Sequence, residues 1–250
     1  MLLQWTKWAL NKATIPEEYW ELGDRVYDPF RSRIEPNGFH SLEELRQAQI
    51  QTTKSFKHSI ANADFFIFTL GQSECWVNKK LGYEYPLCPG TAGGQFDENK
   101  HQFLNQTFQS ILSNLSDAML LMRKINPNLK FILTASPIPL AATYSNRHVL
   151  TATTASKSIL RAVADQLTTN RDYVDYFPSY EMINSPIFEG RFFNSNQRTI
   201  NLDGVNFVIK SFINSLSNKY GEFQNTNELL RESDLTDLMC EEELLEAFSK

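Results

Sequence analysis

Residues 65–76 read Phe-Phe-Ile-Phe-Thr-Leu-Gly-Gln-Ser-Glu-Cys-Trp, an apolar run that ends at Gly71 and is followed at once by polar and aromatic side chains. Residues 129–140 read Leu-Lys-Phe-Ile-Leu-Thr-Ala-Ser-Pro-Ile-Pro-Leu and break off in the same way. In an open parallel sheet, ligands bind beyond the carboxyl ends of the strands, where a glycine lets the backbone approach them closely. The two runs therefore predict neighbouring buried strands whose ends form the floor of one site.

Helical patterns separate these strands. Ser41-Leu42-Glu43-Glu44 is a capping box, which predicts a helix that reaches about Asn62. Apolar residues recur at helical spacing over about 103–125, and further helices are predicted over about 150–168 and 203–220. Residues 173–177 form a third predicted strand. The alternation of strand and helix predicts an α/β fold with a parallel sheet covered on both faces.

The other segments lack a clear period. An amphipathic helix is predicted at the start of the chain, and residues 20–40 and 74–101, which carry many glycines and prolines, are predicted as loops. The pattern divides the chain into a domain over 1–220 and an acidic amphipathic tail over 221–250. The tail carries an apolar stripe that fits packing against its own domain or a partner: Leu235, Leu238, Met239, Leu244, Leu245 and Phe248.

Composition narrows the function classes. The 250 residues are 42% hydrophobic with a net charge of -5 and no basic block, which argues against nucleic acid as a partner. The three cysteines lack CxxC spacing, which favours reduced thiols over a zinc site, and no histidine spacing is typical of a metal site. No apolar run approaches the roughly 20 residues that cross a membrane. We therefore expect a cytoplasmic protein without membrane partner, metal or cofactor.

The strand ends supply the first candidate site residues. Gly71 brings the backbone close to a ligand, Ser73 can donate to an oxyanion, and Glu74 can orient a base or bind a substrate hydroxyl. Alternatively, Glu74 caps the next segment while Trp76 packs against the sheet edge. Ser136, after the second strand, completes this group as a substrate-binding candidate.

The loop and helix after the second strand supply the others. His148 is the candidate base, although a lone histidine is more often structural or solvated than catalytic. Ser156 and Lys157 are predicted to open the following helix, where polar groups can bind an anion or acyl oxygen, or can be ordinary helix-start residues. Asp175 and Glu181 can each act as a base or stabilise the loop between them.

Ordered pieces throughout the chain resemble the GSCFA family, a bacterial branch of the SGNH-like hydrolases. The matching pieces are Asp28-Pro29-Phe30-Arg31, Thr69-Leu70-Gly71 with Glu74 and Trp76, Ser136-Pro137 with Pro139-Leu140 and Ala142-Thr143, His148-Val149-Leu150, Ser156-Lys157 with Leu160-Arg161, residues 176–181, and Cys240-Glu241-Glu242 with residues 245–248. The resemblance implies a three-layer α/β/α, flavodoxin-like (SGNH-like) fold. It also implies a hydrolase site that acts on a small-molecule or saccharide ester, with an association with bacterial surface polysaccharides.

The chain departs from this family in two places. The Gly-Ser-Cys-Phe-Ala segment, whose serine would be the nucleophile, is absent from the 250 residues, so the sheet is expected to lack its first strand. Residues 193–200 contain neither Asp nor His where related enzymes carry Asp-x-x-His. His148 is then the nearest base, with Glu74 to orient it, and Ser73 replaces an oxyanion-hole asparagine. The expected function is an esterase that is inactive in this form, or alternatively a non-catalytic module that binds an acylated saccharide or a protein partner.

Overall fold

The structure is a computed structural model, and it describes residues 1–221 of the chain. The strands are β1 (Trp20–Leu22), β2 (Arg25–Tyr27), β3 (Phe65–Leu70), β4 (Glu74–Asn78), β5 (Glu84–Tyr85), β6 (His101–Asn105), β7 (Lys130–Ala135) and β8 (Val174–Tyr176). The helices are α1 (Leu2–Ala9), α2 (Leu42–Asn62), α3 (Phe108–Arg123), α4 (Val149–Asn170), α5 (Ser179–Asn184) and α6 (Leu202–Tyr220), with a 3-10 turn over Pro186–Phe188. Apart from Gly221, the predicted acidic tail and Cys240 lie outside the described residues.

The three predicted parallel strands are confirmed. They lie in the order β3-β7-β8, and both neighbouring pairs are parallel. Phe65 is opposite Lys130 and Leu70 is opposite Ala135, so β3 and β7 end side by side. Residues 65–70 and 130–135 are largely apolar, and β7, which lies between β3 and β8, buries every residue after Lys130. The chain is a mixed α/β protein.

Helices cover both faces of this sheet. Phe66 and Phe68 pack against the main hydrophobic core, to which α3 and α4 also contribute. Successive side chains of a strand point to opposite faces. Phe65 accordingly lies on the other face, where its ring centroid is 4.6 Å from that of Tyr220 in α6. The core is continuous along β7, whose last five residues are buried.

An antiparallel sheet occupies the segment predicted as a loop over 74–101. Its strands lie in the order β5-β4-β6, with Glu74 opposite Asn105 and Trp76 opposite Tyr85 on the other side. The loop prediction is wrong here because β5 has two residues and β4 pairs with a distant segment. Local periodicity does not report either property.

A hairpin occupies part of the other segment predicted as a loop, residues 20–40. Strands β1 and β2 pair antiparallel, with Leu22 opposite Arg25 and two residues between them. The first of these is Gly23, with a φ of 62°, and Asp24 follows it. Tight hairpin turns of this length favour residues that tolerate positive φ.

The helix predictions hold except at one boundary. The hydroxyl of Ser41 accepts a hydrogen bond from the amide of Glu44 at 3.1 Å, as the capping box predicts for the start of α2. Helix α3, however, begins at Phe108 rather than near residue 103, because residues 101–105 pair with β4. Thr107 caps α3 by accepting from the amide of Ser110. Within the described part of the chain, no helix is long and apolar enough to cross a membrane.

Candidate functional site

Helix α4 fixes the loop that follows β3. The Lys157 ammonium donates to the carbonyl of Gly71 at 2.7 Å, and the amide of Ser73 donates to the hydroxyl of Ser156 at 2.8 Å. Ser156 and Lys157 are both 1% exposed. The prediction that they open the helix is wrong, because α4 begins at Val149 and places them about two turns inside it. They act on the site from the helix interior, as a clamp on the backbone of residues 71–73.

Ser73 is wholly buried, and its polar groups have protein partners. Its hydroxyl donates to the side-chain oxygen of Asn105 at 2.7 Å, and its carbonyl accepts from the amide of Gln106 at 2.8 Å. Since the hydroxyl of Ser156 accepts a hydrogen bond from the amide of Ser73, both donors of Ser73 are engaged. An oxyanion at this position would have to replace one of these acceptors.

Glu74 begins β4 and joins that sheet to the loop after β7. One carboxylate oxygen accepts a hydrogen bond from the hydroxyl of Thr143 at 2.6 Å, and the Thr143 and Ser145 hydroxyls are 2.7 Å apart. Glu74 as a whole is 8% exposed. Glu74 therefore holds the two loops that border the site against each other.

His148 is the exposed N-cap of α4. Its Nδ1 accepts a hydrogen bond from the amide of Leu150 at 3.3 Å. A ring nitrogen that accepts a hydrogen bond carries no proton, and its lone pair is occupied. Among residues 1–221 no hydrogen bond joins His148 to Glu74, whose carboxylate instead accepts from Thr143. The structure thus does not form the pair that the sequence predicts.

Ser136 marks the end of β7 at the site floor. Its amide donates to the carbonyl of Leu70 at 2.9 Å, which extends the ladder between β3 and β7 by one residue. Its hydroxyl accepts from the amide of Ile138 at 3.3 Å. Ser136 and Gly71 therefore follow adjacent strand ends, as the two broken apolar runs predicted.

A cavity of about 280 Å³ lies at the carboxyl end of β3. Gly71, Glu74, Cys75 and Gln106 line it, together with Glu84, whose carboxylate pairs with the amino group of Met1. Burial raises the pKa of the Cys75 thiol to about 11. Since the thiolate is the nucleophilic form, this shift lowers the reactivity of Cys75 at neutral pH.

A second cavity, of about 470 Å³, adjoins the first and shares Gln72, Glu74, Cys75 and Pro86 with it. Trp76 lies in this second cavity rather than on the site floor. Its ring centroid is 5.2 Å from that of Phe96, 5.7 Å from Phe103 and 5.1 Å from Tyr144. We call Trp76, Phe96, Phe103 and Tyr144 the aromatic cluster.

The two carboxylates near β8 stabilise the fold. Glu181 accepts from Arg161 at 2.6 Å and from the Tyr176 hydroxyl at 2.8 Å. Asp175 accepts from Lys219 and Tyr220 of α6. Burial raises the pKa of Asp175, but these two hydrogen bonds outweigh it and hold the pKa below its usual range. Both groups are therefore engaged away from the site floor.

Sequence reasoning missed two polar residues of the site, Asn105 and Gln106. Asn105 ends β6 and Gln106 follows it, and both bond to Ser73, so only the unpredicted antiparallel pairing brings them there. Thr143 belongs to one of the segments that match the family, but no pattern in the neighbouring sequence indicates its contact with Glu74. Among residues 1–221, no three His, Cys, Asp or Glu side chains form a group that could hold a metal ion.

The fold and the site define a mixed α/β protein with a polar cleft at the carboxyl end of a parallel sheet. The family model described as GSCFA family matches residues 1–212. The chain therefore belongs to the GSCFA family. A comparison with curated proteins finds no match.

Proposed function

We propose that this chain is an SGNH-like ester hydrolase with a three-layer, flavodoxin-like layout, which binds an acylated saccharide over the ends of β3 and β7. The observation that carries the proposal is the clamp of residues 71–73 by Ser156 and Lys157. Acyl transfer needs backbone and side-chain donors that are fixed before the charge develops on the ester oxygen. A buried helix side chain at each end of the loop is a means of fixing them.

We further propose that the 250 residues alone do not turn over esters. A hydroxyl nucleophile needs a hydrogen-bonded base. In the described residues, each of the four histidines bonds to an arginine, an asparagine amide or a backbone amide, and none bonds to a hydroxyl or thiol. The nucleophile in this proposal is the serine of a Gly-Ser-Cys-Phe-Ala segment.

In the proposed reaction, that serine oxygen attacks the acyl carbon and the bond from this carbon to the sugar oxygen breaks. The base takes the serine proton and returns it to the departing sugar oxygen, and water then releases the acid. His148 is the proposed base, once its ring leaves the Leu150 amide, and Glu74 is the proposed orienting group. Gly71, Trp76 and Ser136 are the proposed substrate-binding residues, and Ser73, Ser156 and Lys157, which are buried, hold the loop beside the substrate.

An ester assay tests this proposal. The 250-residue chain should hydrolyse p-nitrophenyl acetate no faster than its Ser73→Ala variant. A longer chain that includes an upstream Gly-Ser-Cys-Phe-Ala segment should hydrolyse it, and His148→Ala should remove most of that activity, whereas His58→Ala on α2 should not. Loss of a nucleophile together with its base typically costs a factor of about 10⁶ in rate. Equal turnover by the short and long chains would overturn the assignment of the nucleophile.

A binding module is the second candidate. The engagement of both Ser73 donors favours it, because no free hydroxyl or amide of Ser73 is left for an oxyanion. Such a module would hold an acylated saccharide or a protein partner without hydrolysis. A long chain that binds an acetylated oligosaccharide but leaves its ester intact would favour this candidate over the enzyme.

A further inference from the structure

The aromatic cluster brings together three separate parts of the chain. Trp76 of β4 and Phe103 of β6 are direct cross-strand partners. Phe96 comes from the loop before β6, and Tyr144 comes from the loop after β7. The centroids of Phe103 and Tyr144 are 5.6 Å apart, so that Tyr144 contacts both strand residues.

The cluster has a fixed inner side and an exposed outer side. Trp76 packs against a hydrophobic core that contains Tyr85, its partner on β5. Tyr144, by contrast, is 65% exposed, and Phe96 is 44% exposed. Exposed apolar side chains are ordinary when scattered, but a contiguous group on a rigid base is typical of a binding surface.

The adjoining cavity has the size and lining of a ligand site. Its volume of about 470 Å³ lies in the range of roughly 300–1,000 Å³ that small-molecule sites occupy. Glu74 and Thr143 are among its polar lining residues, the rest of the lining is mainly apolar, and no lysine or arginine of residues 1–221 lines it. Glu74 also lines the cavity at the end of β3, so a ligand here would reach the proposed ester site.

We propose that the aromatic cluster binds the ring of a neutral saccharide, whose hydroxyl groups donate to Glu74. This proposal rests on the proposed function, since it assigns the sugar part of the ester substrate to this cavity. The axial C–H groups of a sugar ring form an apolar face that stacks on Trp76 and Tyr144. The hydroxyl groups at its rim are donors, which a buried carboxylate accepts.

The same features disfavour other ligands. A quaternary ammonium group needs aromatic faces around it. Here the ring centroids lie 5.1–5.7 Å apart, so the rings contact one another and leave no space between them for a cation. A fatty acyl chain would bury the Glu74 carboxylate without a new hydrogen bond, which is costly. An anion would face Glu74, and among the described residues no basic side chain lines this cavity.

Binding to the 250-residue chain tests the proposal without any turnover. The saccharide probes are cellotetraose, mannotetraose and tri-N-acetylchitotriose. Choline and octanoate represent the two other ligand classes, a quaternary ammonium and a fatty acid. Tryptophan fluorescence and calorimetry measure the binding of all five. We expect at least one oligosaccharide to bind. Tyr144→Ala should weaken it by about 3- to 10-fold, the loss of one aromatic contact. Glu74→Gln should also weaken oligosaccharide binding. The control is Tyr19→Ala, which removes an exposed tyrosine outside the cluster and should leave binding unchanged.

Each outcome decides the question. Binding of choline or octanoate in place of any oligosaccharide overturns the proposal, as does the absence of binding by all five probes. The proposal is also overturned if Tyr144→Ala leaves oligosaccharide binding unchanged. Circular dichroism must show that both the variant and the unchanged chain are folded. If the longer chain hydrolyses p-nitrophenyl acetate, Tyr144→Ala should raise KM for an acetylated oligosaccharide and leave the simple ester unaffected. Saccharide binding by a longer chain that carries the Gly-Ser-Cys-Phe-Ala segment but hydrolyses no ester would reject the proposed hydrolase and retain the sugar site.

Discussion

The parallel and antiparallel sheets differ in how far they bury their side chains. In β7, at the centre of the parallel sheet, every residue after Lys130 is buried. In β6 of the antiparallel sheet, only His101 is buried, and in β4 burial ends after Cys75. The residues that the antiparallel sheet exposes include members of the aromatic cluster. The comparison indicates that β7 supplies much of the buried core, whereas β4 and β6 leave most of their residues partly exposed or exposed.

The loop over residues 71–73 joins the two sheets. It leaves β3, is held by Ser156 and Lys157 of α4, and enters β4 at Glu74. Glu74 in turn holds the loop after β7 through Thr143. Side chains from the parallel half thus fix where the antiparallel sheet begins. The position of the aromatic cluster relative to the strand ends follows from these contacts.

Truncation of one core leucine should have the largest effect on stability. Leu133 in β7 is wholly buried, and we expect Leu133→Ala to lower the free energy of unfolding by about 2–5 kcal/mol, because it loses buried area and leaves a cavity. Leu104→Ala in β6 is the matched control, since Leu104 is 39% exposed, and it should cost less than about 1 kcal/mol. Urea unfolding followed by circular dichroism measures both. Equal losses would mean that the two sheets contribute alike.

The clamp between the sheets should have a smaller effect. Ser156→Ala leaves the buried amide of Ser73 without its acceptor, and we expect a loss of about 1–3 kcal/mol. Ser158 is exposed on the same helix, so Ser158→Ala makes the same chemical change without breaking this contact. The same urea titration compares the two variants. If Ser158→Ala costs as much as Ser156→Ala, the clamp contributes nothing beyond helix propensity.

The sequence predicted the parallel half because its signals are local. Residues 65–70 and 130–135 are contiguous apolar runs, and the ends of the two strands meet as their breaks indicated. The antiparallel half depends on pairing between distant segments, such as Glu74 with Asn105. No period within residues 74–101 records that pairing, so the segment was predicted as a loop.

The same distinction applies to the site: the residues at the strand ends were predicted, and the contacts between distant segments were not. Gly71 and Ser136 follow the strand ends, as predicted. Helix α4 begins near residue 150, as predicted, but Lys157 lies about two turns inside it rather than at its start, and its ammonium holds the backbone carbonyl of Gly71. The predicted contact between Glu74 and His148 does not form, because Thr143 bonds to the carboxylate. Competition of this kind between neighbouring polar groups is decided by tertiary packing.

Alkaline pH should weaken the core beneath the antiparallel sheet. The Tyr85 hydroxyl donates to the Glu18 carboxylate at 2.8 Å, and burial, reinforced by that carboxylate, raises the pKa of Tyr85 to about 12. In the unfolded chain a tyrosine titrates near 10. The folded state therefore holds this proton more tightly, so its stabilisation is complete below pH 10 and is lost as the pH rises from about 10 to 12.

The variant Tyr85→Phe tests this pH dependence. It should cost about 1 kcal/mol at pH 7, through the lost hydrogen bond, and should make the decline in the free energy of unfolding above pH 10 less steep. Tyr19→Phe changes an exposed tyrosine and should leave the decline as it is. Unfolding curves between pH 7 and about 11 provide the measurement. An unchanged slope in Tyr85→Phe would show that Tyr85 titrates alike in both states.

The smallest expected signal is the reactivity of the two thiols near the antiparallel sheet. Burial raises the pKa of Cys75 and of Cys88 to about 11. A thiol of ordinary pKa, about 8.5, carries roughly 300-fold more thiolate at pH 7, so both should react that much more slowly with a disulfide reagent. Cys88 is less buried than Cys75 and should react first. The assay uses a Cys240→Ser background, because Cys240 lies outside the described residues. Cys75 could instead react as fast as a free thiol at pH 7, while Leu133→Ala still lowers the free energy of unfolding by about 2–5 kcal/mol. That result would mean that the antiparallel sheet opens independently of the parallel one.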